Sequence, residues 1–308
     1  MRKFIRKTFL FGGIWTIIII FILVSMALYP DNYGKESHEI NVRYSADRLN
    51  RIDSNKIVII GGSGCGFGIN SQLIYDSFLI PVINTGTHAG IGIVMQLKLY
   101  EEFFQKGDII LIIPEYQQFL GKYPWGIEDE TLYRILYNNY PKALKKMTIY
   151  QMVNTIKFIP RYFNNAYRRG PMDTKSPYHK LSLNKFGDVT HWEYRKHKEK
   201  IPSHTINGDC PNIEIIDFVC NFMHQQESKG IKCILLPPTY MQESYENSDL
   251  FINSLSCALQ EHGIPFAAAT ERYKFPDTLF YDTDYHLTYE GVEIRTKMLI
   301  DDIQNCLK

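Results

Sequence analysis

Five short apolar runs recur along the chain, each bounded by Gly, Pro or Asp, and no other feature restricts the fold so tightly. They are Lys56–Gly62 (KIVIIGG), Pro81–Thr85 (PVINT), Asp108–Pro114 (DIILIIP), Ile231–Pro237 (IKCILLP) and Pro265–Ala269 (PFAAA). A strand that is apolar at successive positions, rather than at alternate ones, is buried on both faces. Between the runs the spacing predicts helices over roughly 71–78, 91–105, 213–228 and 249–261, with a last one from about 289 to 307. Strand alternating with helix predicts a mainly parallel, five-stranded sheet in a three-layer α/β/α domain. That domain spans 56–308.

The N-terminus carries a second strong signal. Arg2, Lys3, Arg6 and Lys7 precede an uncharged stretch from Thr8 to Pro30, TFLFGGIWTIIIIFILVSMALYP. At ~1.5 Å per residue it is long enough to cross ~30 Å of hydrocarbon, so residues 1–30 read as a cytoplasmic tip and one transmembrane anchor. A cleaved signal peptide is the alternative, with Ser25 and Ala27 as small residues at suitable offsets, although the run exceeds the usual h-region. The basic end is expected in the cytoplasm, which sends residues 31–55, a linker, and the domain beyond it to the outer side of the membrane. Six cysteines in an exported domain permit disulfides without proving any, and none has zinc-type spacing.

The alternation breaks once, over an insertion at about 115–212. Between Lys142 and Lys200 it holds fourteen Lys/Arg against four acidic residues. Lipid headgroups or an anionic glycan suit such a charge in an exported protein better than nucleic acid, and an ordinary solvated lysine-rich face is the alternative. Its middle places Ile149, Met152, Val153, Ile156 and Phe163 near one helical face, with Pro160 as a break. That face is expected to pack on the domain, with an interfacial helix as the alternative. Residues 170–212 read as a polar surface loop; their four histidines are irregularly spaced and no metal is assigned. Within it NKFGDVTHWEY, with Asp188 and His191, is a surface loop or a lid.

The first strand runs into GGSGCGFG, which tests as a phosphate cradle and fails. No lysine follows at Walker A spacing, and Gly64, Gly66 and Gly68 lack the dinucleotide-binding pattern. No cofactor is expected. A Gly-x-Ser-x-Gly elbow is missed by one residue, Cys65. What remains is Ser63 on a strand-to-helix turn at the carboxyl end of the first strand, where open α/β sheets place their sites. A serine nucleophile needs a base. His286 stands just before the last helix with Asp282 and Asp284 upstream, and either aspartate can orient it. After the second strand, NTGTHAGIG offers the N–H groups of Gly86 and Gly90, beside that of Ser63, to an oxyanion. His88 in that loop and Glu115 at the end of the third strand are candidates for supporting positions.

Ser63 in a Gly-rich turn, Asn84-x-Gly86 after the second strand, and Asp plus His before the final helix resemble the SGNH (GDSL-type) hydrolase superfamily. With its anchor, the chain looks most like membrane-anchored proteins that O-acylate surface polymers, as in alginate acetylation and teichoic acid D-alanylation. The resemblance implies a flavodoxin-like SGNH fold and acyl transfer or ester hydrolysis on a cell-surface polysaccharide through Ser63. A multi-spanning membrane acyltransferase is the implied partner. Gly61-Gly62-Ser63 stands for the family's Gly-Asp-Ser, and PEYQQF replaces its Asn-Asp, so Glu115, Tyr116 or Gln117 would substitute for the asparagine. A second reading is a catalytically inactive scaffold of the same fold that binds glycan or a membrane partner.

Overall fold

The computed structural model describes residues 1–28, 31–208 and 210–308. The first element is a helix, α1 (Arg2–Leu28), whose stretch Arg2–Ile22 is long and apolar enough to span a membrane and is unburied. Residues 31–55 are not the linker expected from the sequence: their helical part, 32–49, packs into the core of the domain. Asp31 caps α2 (Asn32–Glu36) by accepting from the Gly34 amide at 3.0 Å, and Ser37 caps the following 3₁₀ turn. In α3 (Asn41–Leu49), Val42, Ala46 and Leu49 lie at i, i+4 and i+7 and are all buried.

The sheet is parallel and four-stranded, in the order β2 (Val82–Asn84), β1 (Ile57–Gly61), β3 (Ile109–Ile113), β4 (Lys232–Leu235). Val58, Ile60, Ile110 and Ile112 enter one core cluster; Ile57, Ile59, Ile109 and Leu111 enter another. This is the period of two expressed on a sheet apolar on both sides. Short α4 (Ser63–Gly66), α5 (Ser71–Phe78) and α6 (Ile93–Tyr100) follow in chain order around β1 and β2. The insertion contains α7 (Thr131–Asn139), α8 (Ile149–Ile156) and α9 (Ile159–Arg168), with Pro160 in the first turn of α9. Then come α10 (Ile213–Ser228), α11 (Gln242–Asn247), α12 (Asp249–Glu261) and α13 (Tyr289–Leu307). A small parallel pair joins β5 (Tyr240–Met241) to β6 (Lys274–Phe275).

The fifth strand is not formed. Pro265 brings no N–H, and only Ala267 bonds to the neighbouring β4, donating to Leu235 O at 2.8 Å. All six cysteines are free thiols. The register pairs Gly61 with Ile113, so the residues leaving the carboxyl ends of β1 and β3 are brought side by side. That pairing sets Ser63 next to Glu115.

Candidate active site

Ser63 is the first residue of α4 and is half-buried among buried neighbours. The entry to the turn has no room for a side chain at Gly62, where a Cβ would stand 2.5 Å from Glu115 Oε1 and 2.7 Å from Ala89 Cβ. Glu115 Oε1 accepts from the Gly64 amide (3.1 Å) and, at longer range, from Ser63 Oγ (3.4 Å), while Oε2 accepts from Gln117 Nε2 (3.0 Å). Burial pushes the Glu115 carboxyl up to about 7 against the lowering effect of the Gly64 amide, with the Asp284 charge adding to the rise. The Arg295 guanidinium, buried on α13, donates to Gly64 O at 2.6 Å and fixes the turn from the other side. Burial also pushes the Cys65 thiol up to about 12, which leaves it no thiolate chemistry near neutral pH.

His286 reaches the same turn by stacking on Phe67, ring centroids 4.1 Å apart and 13° from parallel. Phe67 lies on the continuation of the Ser63 turn, its amide donating to Ser63 O at 2.8 Å. His286 Nδ1 is 3.0 Å from Asp282 Oδ1 and 3.0 Å from the Tyr178 hydroxyl, which itself donates to Asp282 Oδ2 at 2.7 Å. A carboxylate only accepts, so this arrangement places the proton on Nδ1 and leaves Nε2 as the basic nitrogen. For Asp282, burial acts to raise the pKa, but the bonds from His286 and Tyr178 and the nearby Lys198 outweigh it, and the carboxyl is held below its ordinary value. Asp284 is turned elsewhere: its Oδ2 meets His204 Nδ1 at 3.0 Å. Of the two candidate aspartates, Asp282 is therefore the one brought to His286.

The polar insertion is exposed loop over 170–176 and over most of 196–208, as expected, but its middle, about 177–195, is built into the domain. Asp188 is fully buried and accepts from the Ser71 amide (2.9 Å) and from Asn84 Nδ2 (2.8 Å). The Val189 amide donates to Gly66 O (2.8 Å), stitching residues 178–195 across the Ser63 turn. Arg195, also buried, donates to the carbonyls of Val189 (2.8 Å), Phe67 and Leu287. One side chain thus ties the strap, the Ser63 turn and the His286 loop together, and burial lowers its pKa to about 9. His179, expected at the surface, is buried and faces Glu36 Oε2 at 3.1 Å. His191 has φ of 48°, in the left-handed region.

Two expected oxyanion donors are already occupied. The Gly86 amide donates to Asn84 Oδ1 (3.0 Å), and the Gly90 amide to His88 Nδ1 (2.9 Å). Among the described residues the amides of Ser63 and Ala89 have no such partner, and the Ala89 backbone lies against Gly62. No hydrogen bond joins Ser63 Oγ to His286. His88 is half-buried, and burial lowers its pKa. It lines a cavity of about 250 Å³ that also touches His38, Arg134 and Tyr178. A second cleft, about 400 Å³, runs past Gln117, Asp284 and Tyr285. Tyr116, another candidate from the sequence, is fully buried, its backbone amide bonded to the Tyr285 hydroxyl.

Tyr178, Phe67, Arg195 and Arg295 are the residues that sequence reasoning missed. Their partners are 92 to 231 residues away in the chain, apart from the Val189 carbonyl that Arg195 holds and the ring of Phe67 beside its own turn. No family model matches the chain, and no curated protein matches it either.

Proposed function

We propose that the chain is a serine acyltransferase or esterase of SGNH type, anchored by α1 with its domain outside the cytoplasm, acting on O-acyl groups of a cell-surface polysaccharide. The three-layer SGNH arrangement is part of the same proposal, supported by helices contributing to both core clusters of the sheet. One observation carries the reading: His286, oriented by Asp282 and Tyr178, stacks on the turn that Ser63 begins.

In this mechanism Ser63 Oγ forms a bond to the acyl carbon of an ester donor while its proton passes to His286 Nε2. Asp282 stabilises the imidazolium through Nδ1–H. The amides of Ser63 and Ala89 receive the oxyanion, in place of the occupied amides of Gly86 and Gly90. As the tetrahedral intermediate collapses, the donor's C–O bond breaks and His286 protonates the departing alcohol. A hydroxyl of the acceptor sugar, or water, then gives its proton to His286, attacks the acyl-serine and releases Ser63 with its own proton restored.

Ser63→Ala is expected to lose ester turnover or acyl transfer by ~10³-fold or more without unfolding. A fluorophosphonate should form an adduct on wild-type Ser63 and none on the variant. The inactive scaffold is the second reading, and a specific observation favours it: Ser63 Oγ hydrogen-bonds to Glu115, not His286. An intact wild-type chain that takes no fluorophosphonate and turns over no ester would establish the scaffold.

A further inference from the structure

Helix α8 is inside out. Its two buried residues, Gln151 and Thr155, are polar, and Gln151 Nε2 donates to Trp125 O at 2.9 Å. Its apolar residues face solvent: Ile149 is 82% exposed, Val153 56% and Ile156 63%, with Met152 beside them. These lie at i, i+3, i+4 and i+7, one continuous stripe. The expectation that this face packs on the domain is reversed: the side turned inward carries Gln151, bonded to Trp125 O, and Thr155.

The surroundings say what covers the stripe. Lys145, Lys157 and Arg168 lie on either side of it in the sequence, all exposed and, among the described residues, without a carboxylate partner, while Arg161 is paired with Glu130 at 3.2 Å. The apolar helix α1 ends close by in the chain. Three peptide steps separate Leu28 from Asp31, no more than ~11 Å when extended. Asp31 Oδ2 accepts from Asn138 Nδ2 on α7 (2.8 Å), and Asn138 Oδ1 accepts from the Tyr162 hydroxyl on α9 (2.7 Å). The Arg169 guanidinium also lies over the Tyr33 ring, 5.3 Å from its centroid. The chain leaving α1 is therefore clamped to α9, and α9 follows α8 after two residues.

We propose that the outer face of α8 lies in the headgroup region of the anchor's own bilayer, with Ile149, Met152, Val153 and Ile156 in the acyl boundary. Lys145, Lys157 and Arg168 then meet anionic lipid phosphates. The inference rests on α1 being a membrane anchor, and not on the serine chemistry. Two contacts, one spanning and one interfacial, restrict how the domain can tilt on its tether and so hold the insertion side of the site toward the membrane.

The test uses the full chain in vesicles containing about one-third anionic phospholipid, with a photoactivatable carbene probe dissolved in the bilayer and labelled peptides mapped. Residues 149–156 should be labelled together with α1. The triple variant Ile149→Ser, Val153→Ser, Ile156→Ser should lose most of the α8 label, with the α1 label and circular dichroism unchanged. Replacing the anionic lipid by a zwitterionic one should lower the α8 label several-fold, and unchanged labelling would overturn the headgroup part. Label on α1 without label on α8 overturns the inference and leaves the anchor standing; label on neither overturns both. Protection of α8 in native membranes but not in vesicles points to a protein occupant and also overturns it.

Discussion

The Ser63 turn and the His286 loop meet at Phe67, yet they are built by different means. The turn is set by the parallel sheet and by Gly61, Gly62 and Gly68, which are too crowded to carry side chains, with Arg295 and Glu115 holding its backbone at Gly64. The loop is short of regular structure. Its Phe280–Leu287 bridge closes it locally, and Tyr178 and Arg195, from the insertion, supply the side chains that orient it. One half of the site thus follows from topology, and the other depends on a segment that the sheet does not require. If that contrast is right, substitutions in the loop should damage function far more than stability, and substitutions under the turn should do both.

The sharpest break of the contrast is the pair of aspartates. Asp282→Asn is expected to lower turnover by ~10⁴-fold with the fold intact, because an amide at that position no longer fixes the Nδ1–H tautomer or stabilises the imidazolium. Asp284→Asn, which touches His204 rather than His286, should cost less than about tenfold. Rates for the two variants on a common ester, with thermal melts alongside, decide the matter. Equal losses would mean that the loop does not discriminate between its carboxylates.

How far these features could be read in advance follows the range of the interactions involved. The β1 run and its glycine turn are local in sequence, so strand, turn and candidate nucleophile are all visible there. Asp282 and Asp284 lie two residues apart, and the choice between them is made by loop conformation and by Tyr178, 104 residues away from Asp282. Nothing in a local window carries that information. The Pro265–Ala269 run has strand-like composition, but ladder bonds decide a strand and only the Ala267 amide bonds to β4. For α8 the periodicity was legible and the direction was not, because an apolar stripe says that something covers it without saying what.

Beneath the turn, Glu115 gives a stability test with a definite sign. Folded, it keeps its proton up to about pH 7; unfolded, it loses it near its ordinary value of 4.5. Between those values the native state binds the extra proton, so this group's contribution to stability falls as pH rises from about 4.5 to about 7 and stays low above that. The difference is on the order of 3 kcal/mol. Glu115→Gln, which cannot titrate, should remove that slope, so that the variant gains on the wild type as pH rises. Denaturant melts at pH 4.5, 6 and 8 would measure it. A constant offset between the two proteins across this range would show that Glu115 ionises alike in the folded and unfolded chain, against its burial.

The smallest effect expected, and the most direct probe of the insertion's share in the site, is at Tyr178. Its hydroxyl donates to Asp282 Oδ2 and lies 3.0 Å from His286 Nδ1, while its ring packs 5.0 Å from that of Phe67. Tyr178→Phe keeps the ring and removes one hydrogen bond to a charged group, worth ~1.5–3 kcal/mol where the carboxylate finds no replacement. Water or Lys198, whose Nζ is 3.9 Å from Asp282 Oδ2, can take up part of that role. The expected loss in kcat is therefore about tenfold or less, with KM little changed. Because the lost bond helps hold the Asp282 proton off, the acid limb of the pH–rate profile should also move upward. A purely structural Tyr178 would lower the melting temperature without moving that limb, and this separates packing from positioning in a variant that differs by a single oxygen atom.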